Sequence, residues 1–353
     1  MVRFKYSELS DWIREQIRAG AFKEGDRIPT EMDLSKQFQI SRDTVRKGIA
    51  VLEKEKLLYR VKGSGTFVRD TSIGQAYTGK RSRSKAIGIL MNDVDSYIFP
   101  DIVRGVNVVL NRYGYYAALH FTNHNTSQER NILLNMMAGD FAGYIIEPTK
   151  AALPQPNYDL YQEIACTTPT LLIHAKIPEL GLPSLTTNDE EAGRKLTDYL
   201  LEQGHKKIAG IFKMDEQTGQ KRYLGYLKAF QEKGIHVLDE NIYMLFEPGF
   251  KEIFKEPLPD KLKEILKNCT AVICQDDRLA AYLKEYLGGQ EEYSKNIVSC
   301  GFDDSDVAKE QGIISVSHPK EKFGEYAAMR LLDKIKNPAL DISYDFNPKL
   351  VVR

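Results

Sequence analysis

From residue 86 onward, short apolar runs alternate with stretches of helical periodicity, and no other feature restricts the fold so strongly. AIGILM is followed by a helical stretch at about 100–112, YYAALHF by one at about 127–138, and GYIIEP closes the round. After PTLLIH the rhythm recurs: a helix at about 190–203, KKIAGIF, a helix at about 220–233, IYMLF, a helix at about 259–267, AVICQD, a helix ending at Leu287, and IVSCGF. Two consecutive α/β units predict two lobes with parallel sheets. Ligands of such folds lie beyond the carboxyl ends of the strands, so the cleft between the lobes is the expected site.

The chain before this region reads differently. YSELSDWIREQIRAG places Leu9, Trp12, Ile13 and Ile17 on one helical face. Thr30 is positioned to cap a second helix, with Glu31 and Asp33 in its positive first turn and Met32, Leu34 and Phe38 available for burial. Ser41 caps a third, in which Val45, Ile49 and Leu52 form an apolar stripe and Arg42, Thr44 and Arg46 project from the other side. Two short helices joined by Gln-Ile-Ser form a helix-turn-helix, whose second helix presents its N-terminal side chains to a DNA major groove. LLYRV and TFVRD then pair around Lys-Gly-Ser-Gly as a wing.

Charge supports this division. Residues 1–85 hold 19 Lys and Arg against 11 Asp and Glu, whereas the remainder holds 30 against 38. A basic end on an acidic body suits a polyanionic partner for the first part only; a solvated basic face is the plainer alternative. Residues 71–85, TSIGQAYTGKRSRSK, lack apolar periodicity and read as a linker.

At 353 residues the chain exceeds what one core usually supports. No apolar run approaches a membrane span and no signal-peptide pattern opens the sequence, so a cytoplasmic location is expected. Cys166, Cys269, Cys274 and Cys300 lack zinc-site spacing and are expected to be buried free thiols. No GxGxxG at a strand-to-helix turn, P-loop, GxSxG or HExxH is present, so no catalytic residue, cofactor or metal is assigned. A hydrolase using the aspartates near 276 and 303 is the remote alternative.

PTEMDLSKQFQISRDTVRKGIAVLEKEKLLYRVKGSGTFV resembles the winged-helix domain of GntR-family bacterial repressors over residues 4–69. IGILMNDVDSYIFPDIVRGV, LLEQGHKKIAGI, QKRYLGYLKAF, AVICQDDRLA and SCGFDDSDVA are similar to the periplasmic-binding-protein-like sugar domain of LacI-type repressors. The union of the two resembles a family of arabinose-responsive repressors of low-GC Gram-positive bacteria, with local likeness in SYIFPDIVRG and GIFKMDEQTGQKRYLGY. The resemblance implies a DNA-binding domain at 1–70, a linker at 71–85 and a two-lobed effector and dimerisation domain at 86–353.

The resemblance also implies residue roles. In the head, Arg42 and Arg46 would meet base edges or phosphates with Glu31 and Thr44 alongside, and Lys5 would meet a phosphate. Gly63, Ser64 and Gly65 fit the wing; Lys62 stands where this family is expected to carry glutamine, which leaves its role open. In the body, Arg222 and Asp277 would hold sugar hydroxyls, Tyr97, Phe99 and Phe246 would cover a sugar face, and Glu147 and His174 would add polar contacts. Phe99 and His174 as lobe core, Glu147 paired with Lys150, and Asp303 and Asp304 as hinge residues are the structural alternatives. The function implied is a homodimeric repressor on a pseudo-palindromic operator, released by a small sugar, L-arabinose first. Another pentose, an oligosaccharide, or activation instead of repression stays open.

Overall fold

The computed structural model describes residues 5–18, 21–23, 25–54, 57–61, 65–68, 84–93, 97–255, 257–289 and 297–353. The chain divides into two compact units, Met1–Arg81 and Ser82–Arg353. In the first, α1 (Lys5–Arg18), α2 (Glu31–Phe38) and α3 (Arg42–Lys54) enclose Leu9, Ile13, Leu34, Val45, Ile49 and Leu52. These are residues whose helical spacing marked them for burial. Met32 departs from expectation and is 47% exposed, because α2 turns Leu34 inward instead.

Thr30 caps α2 in a reciprocal capping box with Asp33, and the Ser41 hydroxyl accepts the Thr44 N–H at 3.2 Å to start α3. β1 (Leu58–Val61) and β2 (Gly65–Val68) form the antiparallel wing, with Tyr59 stacked on Phe67. Residues 25–28 lie along its other edge: the Gly25 N–H donates to the Val68 carbonyl at 3.0 Å and the Ile28 N–H to that of Thr66 at 3.0 Å. Lys62, Gly63 and Ser64, and the linker residues up to 83, lie outside the described residues.

The second unit opens with β3 (Ala86–Met91), α4 (Phe99–Arg112), β4 (Tyr116–Phe121), α5 (Thr126–Ala138), β5 (Gly143–Ile146), α6 (Tyr158–Thr167), β6 (Thr170–Ile173) and β7 (Ser184–Thr187). There follow α7 (Asp189–Glu202), β8 (Ile208–Lys213), α8 (Gln217–Glu232), β9 (Ile242–Leu245), α9 (Gly249–Glu252), α10 (Asp260–Lys267), β10 (Ala271–Ile273), α11 (Asp277–Gly288), β11 (Val298–Asp303), α12 (Asp306–Gln311) and β12 (Ile314–Ser317). The chain ends with α13 (Lys320–Lys336), β13 (Tyr344–Phe346) and β14 (Lys349–Val351).

Two sheets result, ordered β13-β7-β6-β5-β3-β4 and β14-β12-β11-β10-β8-β9, parallel throughout except where β14 runs antiparallel to β12. The two-lobed α/β body and the winged helix are the architecture the sequence predicts. The lobes are not consecutive, however. The chain passes from the first lobe to the second at 187–189, returns at 317–320, and passes over again at 346–349.

Packing explains the return of α13. Its stripe of Phe323, Ala327 and Leu331 belongs to the first lobe's core, and it crosses α4 at glycines. A Cβ on Gly105 would lie 2.0 Å from the Glu321 carbonyl oxygen, and one on Gly324 1.9 Å from that of Ile102. The elements read from the sequence end at IVSCGF, so α13 and its return are additions of the structure. Of the cysteines, Cys269, Cys274 and Cys300 are buried, whereas Cys166 is exposed near the end of α6. Among the described residues no helix is long and apolar enough to cross a membrane.

Candidate functional site

The cleft between the lobes holds a cavity of about 370 Å³. It is built, as strand order dictates, from residues just past the carboxyl ends of strands. Non-glycine residues with positive φ gather there: Asn123 and His124 after β4, Lys150 after β5, His174 after β6, and Asp303 with Asp304 at the end of β11. Such backbone is costly for residues bearing a Cβ and is held only by strong surroundings. Part of that hold is a buried network: Thr122 and Thr149 hydroxyls donate to Asn92 at 3.1 and 2.8 Å, and Glu129 accepts from the Thr149 N–H at 2.7 Å and from Tyr161 at 2.8 Å.

Arg222, on α8, is the most constrained cation of the cleft. Its Nε donates to Asp189 at 2.9 Å and its Nη1 to the Gln275 carbonyl at 2.6 Å. Nη2 lies 3.6 Å from Asp303, and the guanidinium sits 4.3 Å over the Phe302 ring. Burial works against its charge, but Asp189 and Asp303 outweigh that and keep it protonated. Tyr97 reaches across from the first lobe and donates its hydroxyl to Asp303, and Arg278 lies 5.0 Å over its ring. Burial and the neighbouring carboxylates push the phenol well above its usual range.

A second group joins His124, 3.6 Å from both Asp93 and Glu216, to Lys213, which donates to Glu216 at 2.7 Å and lies 3.0 Å from Glu247. Glu216 is held below its usual range: burial opposes ionisation, but Lys213 and His124 prevail. A third group is a relay. His174 Nδ1 lies 2.9 Å from Glu147, its Nε2 lies 3.3 Å from His318 Nε2, and Phe323 stacks on its ring at 4.8 Å. Burial lowers the His174 pKa, yet the Glu147 hydrogen bond and charge leave it raised. Burial and His174 drive His318 well below its usual range. The two Nε2 atoms are joined by a hydrogen bond, so one of them carries a proton, and His318 Nδ1 is buried without a partner among the described residues.

The lobes are fastened at the rim by Gln217. Its amide donates to the carbonyls of Ala151 and Lys176 at 2.9 and 2.8 Å and accepts from the Lys176 N–H at 2.9 Å.

Of the residues singled out in the sequence, Tyr97, Phe99, Glu147, His174 and Arg222 line this cavity together. Phe99 is at once part of the first lobe's core. Glu147 pairs with His174 rather than Lys150, which points to Asp215 at 4.0 Å. Phe246 and Asp277 do not line it. Phe246 follows β9 at the sheet edge and is half exposed. Asp277 is buried beneath, where it accepts from the Ser305 N–H at 2.8 Å and the Ser315 hydroxyl at 2.7 Å. Its neighbour Asp276 caps α11 and faces the cavity instead. Lys213, Glu216, Asp303 and His318 were not assigned as ligand contacts; their signal was position, each at or just past the carboxyl end of a strand.

In the head, Arg42 is exposed at the start of α3, and Arg46 donates to Glu31 at 2.8 Å. Glu31 also accepts from Arg60 of β1 at 3.3 Å, so one carboxylate ties α3 to the wing. Thr44 is held by Ser41 at 2.9 Å, Lys5 opens α1, and Gly65 opens β2.

A winged helix joined to a two-lobed cleft of strand-end polar groups defines a ligand-responsive transcriptional regulator. Residues 5–68 match the bacterial regulatory proteins of the gntR family, and residues 197–353 the periplasmic binding protein-like domain. The chain is 35% identical to the arabinose metabolism transcriptional repressor of Geobacillus stearothermophilus, and 33% to that of Halalkalibacterium halodurans, each over 99% of this chain and 96% of the relative. It belongs to the same family as these two repressors. A periplasmic binding protein/LacI transcriptional regulator from Alkaliphilus metalliredigens, solved in complex with D-xylulofuranose, shares the body's fold at a TM-score of 0.66, with 20% identity over 76% of this chain and 98% of that one.

Proposed function

We propose that this protein is an arabinose-responsive repressor that binds a pseudo-palindromic operator as a homodimer and releases it when L-arabinose occupies the cleft. The observation that carries the reading is the composition of the cavity. Carboxylates, a guanidinium, an ammonium and imidazoles from both lobes surround a space edged by Tyr97 and Phe99. Vicinal hydroxyls both donate and accept, and need such paired partners, while a ring's C–H face suits an aromatic side chain. Arg222, Asp276 and Asp303, which line the cavity, are the groups assigned to the hydroxyls.

Arg42, Thr44 and Arg46 read the operator in the major groove, and Lys5 and the wing residues 62–65 hold its backbone. Sugar draws the lobes onto a common ligand, and the two heads of the dimer then no longer fit both half-sites. A coupling of ~1–3 kcal/mol, roughly 5- to 150-fold in operator affinity, suffices. Such a regulator acts in the cytoplasm, where the chromosome is. The test is a pair of variants: Arg46→Ala loses operator binding and still titrates sugar, and Arg222→Ala binds operator and ignores sugar. Release of Arg222→Ala at the wild-type sugar concentration would remove the assigned site.

A further inference from the structure

We infer that Arg27, which lies in neither the recognition helix nor the wing hairpin, is a DNA phosphate contact that the wing carries on its flank. The inference rests on the DNA-binding reading of the head and extends it. Arg27 belongs to the segment that lines the wing's edge, bridged to Phe67 and followed by the Ile28 N–H bond to the Thr66 carbonyl at 3.0 Å. Its side chain lies across the α-carbon of Gly65. A Cβ there would come within 2.5 Å of Arg27 Nε and 3.2 Å of its Cζ. Gly65 has φ of +129°, a backbone conformation that favours glycine, and its missing side chain leaves the room Arg27 occupies.

The charges around it separate Arg27 from the other arginines of this face. Arg46 is paired with Glu31, and Arg60 with Glu31 and Glu53. Arg27 is exposed and, among the described residues, forms no ion pair. An exposed guanidinium lying against Gly65 of the wing, with no described carboxylate in ion-pair distance and Asp33 as the nearby acid that feels its charge weakly, is placed to meet a phosphate oxygen. The wing thereby gains a cation that its own hairpin sequence does not encode.

A phosphate contact has a signature that a structural role lacks: it contributes to salt dependence and not to sequence preference. The full-length protein with Arg27→Ala should bind both operator and unrelated duplex more weakly. The slope of log affinity against log salt should be shallower by about 0.9 for each head bound. Arg27→Lys, which keeps the charge, should restore the slope, and sugar titration should be unchanged in both variants. Operator affinity and slope equal to wild type in Arg27→Ala would overturn the inference, as would a loss confined to the operator with the slope intact. Arg46→Ala separates this from the broader reading: if it abolishes operator binding while Arg27→Ala does nothing, Arg27 alone is misassigned. If neither changes binding, the DNA-binding reading of the head falls with it.

Discussion

Asp276 and Asp277 are adjacent acids with different work. Asp276 stands at the mouth of α11, where its Oδ1 accepts the Leu279 N–H at 2.8 Å while the side chain faces the cavity. Asp277 points the other way, into hydrogen bonds with Ser305 and Ser315. Asp276→Asn should therefore weaken sugar binding with little change in melting temperature, and Asp277→Asn should change stability with the sugar contacts in place; calorimetric titration and thermal melts distinguish them. Burial and the nearby Asp303 charge push the Asp277 carboxyl from 3.8 up to about 7. The folded state thus holds this proton more tightly than the unfolded one. Stability from this group is complete at low pH and declines as pH rises from about 4 to about 7. Melting temperatures across that window should fall in the wild type and fall less in Asp277→Asn; an equal decline would place the titrating group elsewhere.

At the scale of elements, most strands and helices of the body up to β11 were legible because their apolar runs are bounded and their periods distinct. α6 was missed, and with it β7, because Tyr158–Thr167 follows a proline-rich turn and carries a weak stripe. Nothing after β11 was read as an element, and the lobe to which α13 returns is illegible for a different reason. Its destination is decided by a close crossing with α4, through Gly105 and Gly324, which no local pattern encodes. Gly324→Ala should cost ~1–3 kcal/mol by overpacking, visible as a lower denaturant midpoint, while DNA binding by the head is retained. A neutral result would mean the α4–α13 crossing has room that its geometry denies. The site followed the same division: strand-end position pointed to Glu147 and His174 and the family resemblance to Arg222 on α8 and to Asp277, but telling Asp277 from Asp276 needed to know which way α11 begins. Phe246 failed because β9 is an edge strand, where a residue past the end can turn to solvent.

For the whole molecule, the claim is that one ligand in the body and one on the head oppose each other. Gln217 at the rim, the Tyr97 bond to Asp303 and the 3.2 Å approach of Lys251 to Asp93 are contacts that join the two lobes across the cleft. Linkage makes the opposition reciprocal: whatever factor sugar takes from operator affinity, operator must take from sugar affinity. The most direct measurement is calorimetric titration of L-arabinose into the protein, alone and with saturating operator, beside D-xylose, D-ribose and D-galactose. The account predicts that L-arabinose binds preferentially and that operator weakens it by a factor within roughly 5- to 150-fold, matching the loss of operator affinity at saturating sugar. Equal sugar affinity with and without operator would contradict the switch, and a flat response to L-arabinose would contradict the assigned effector.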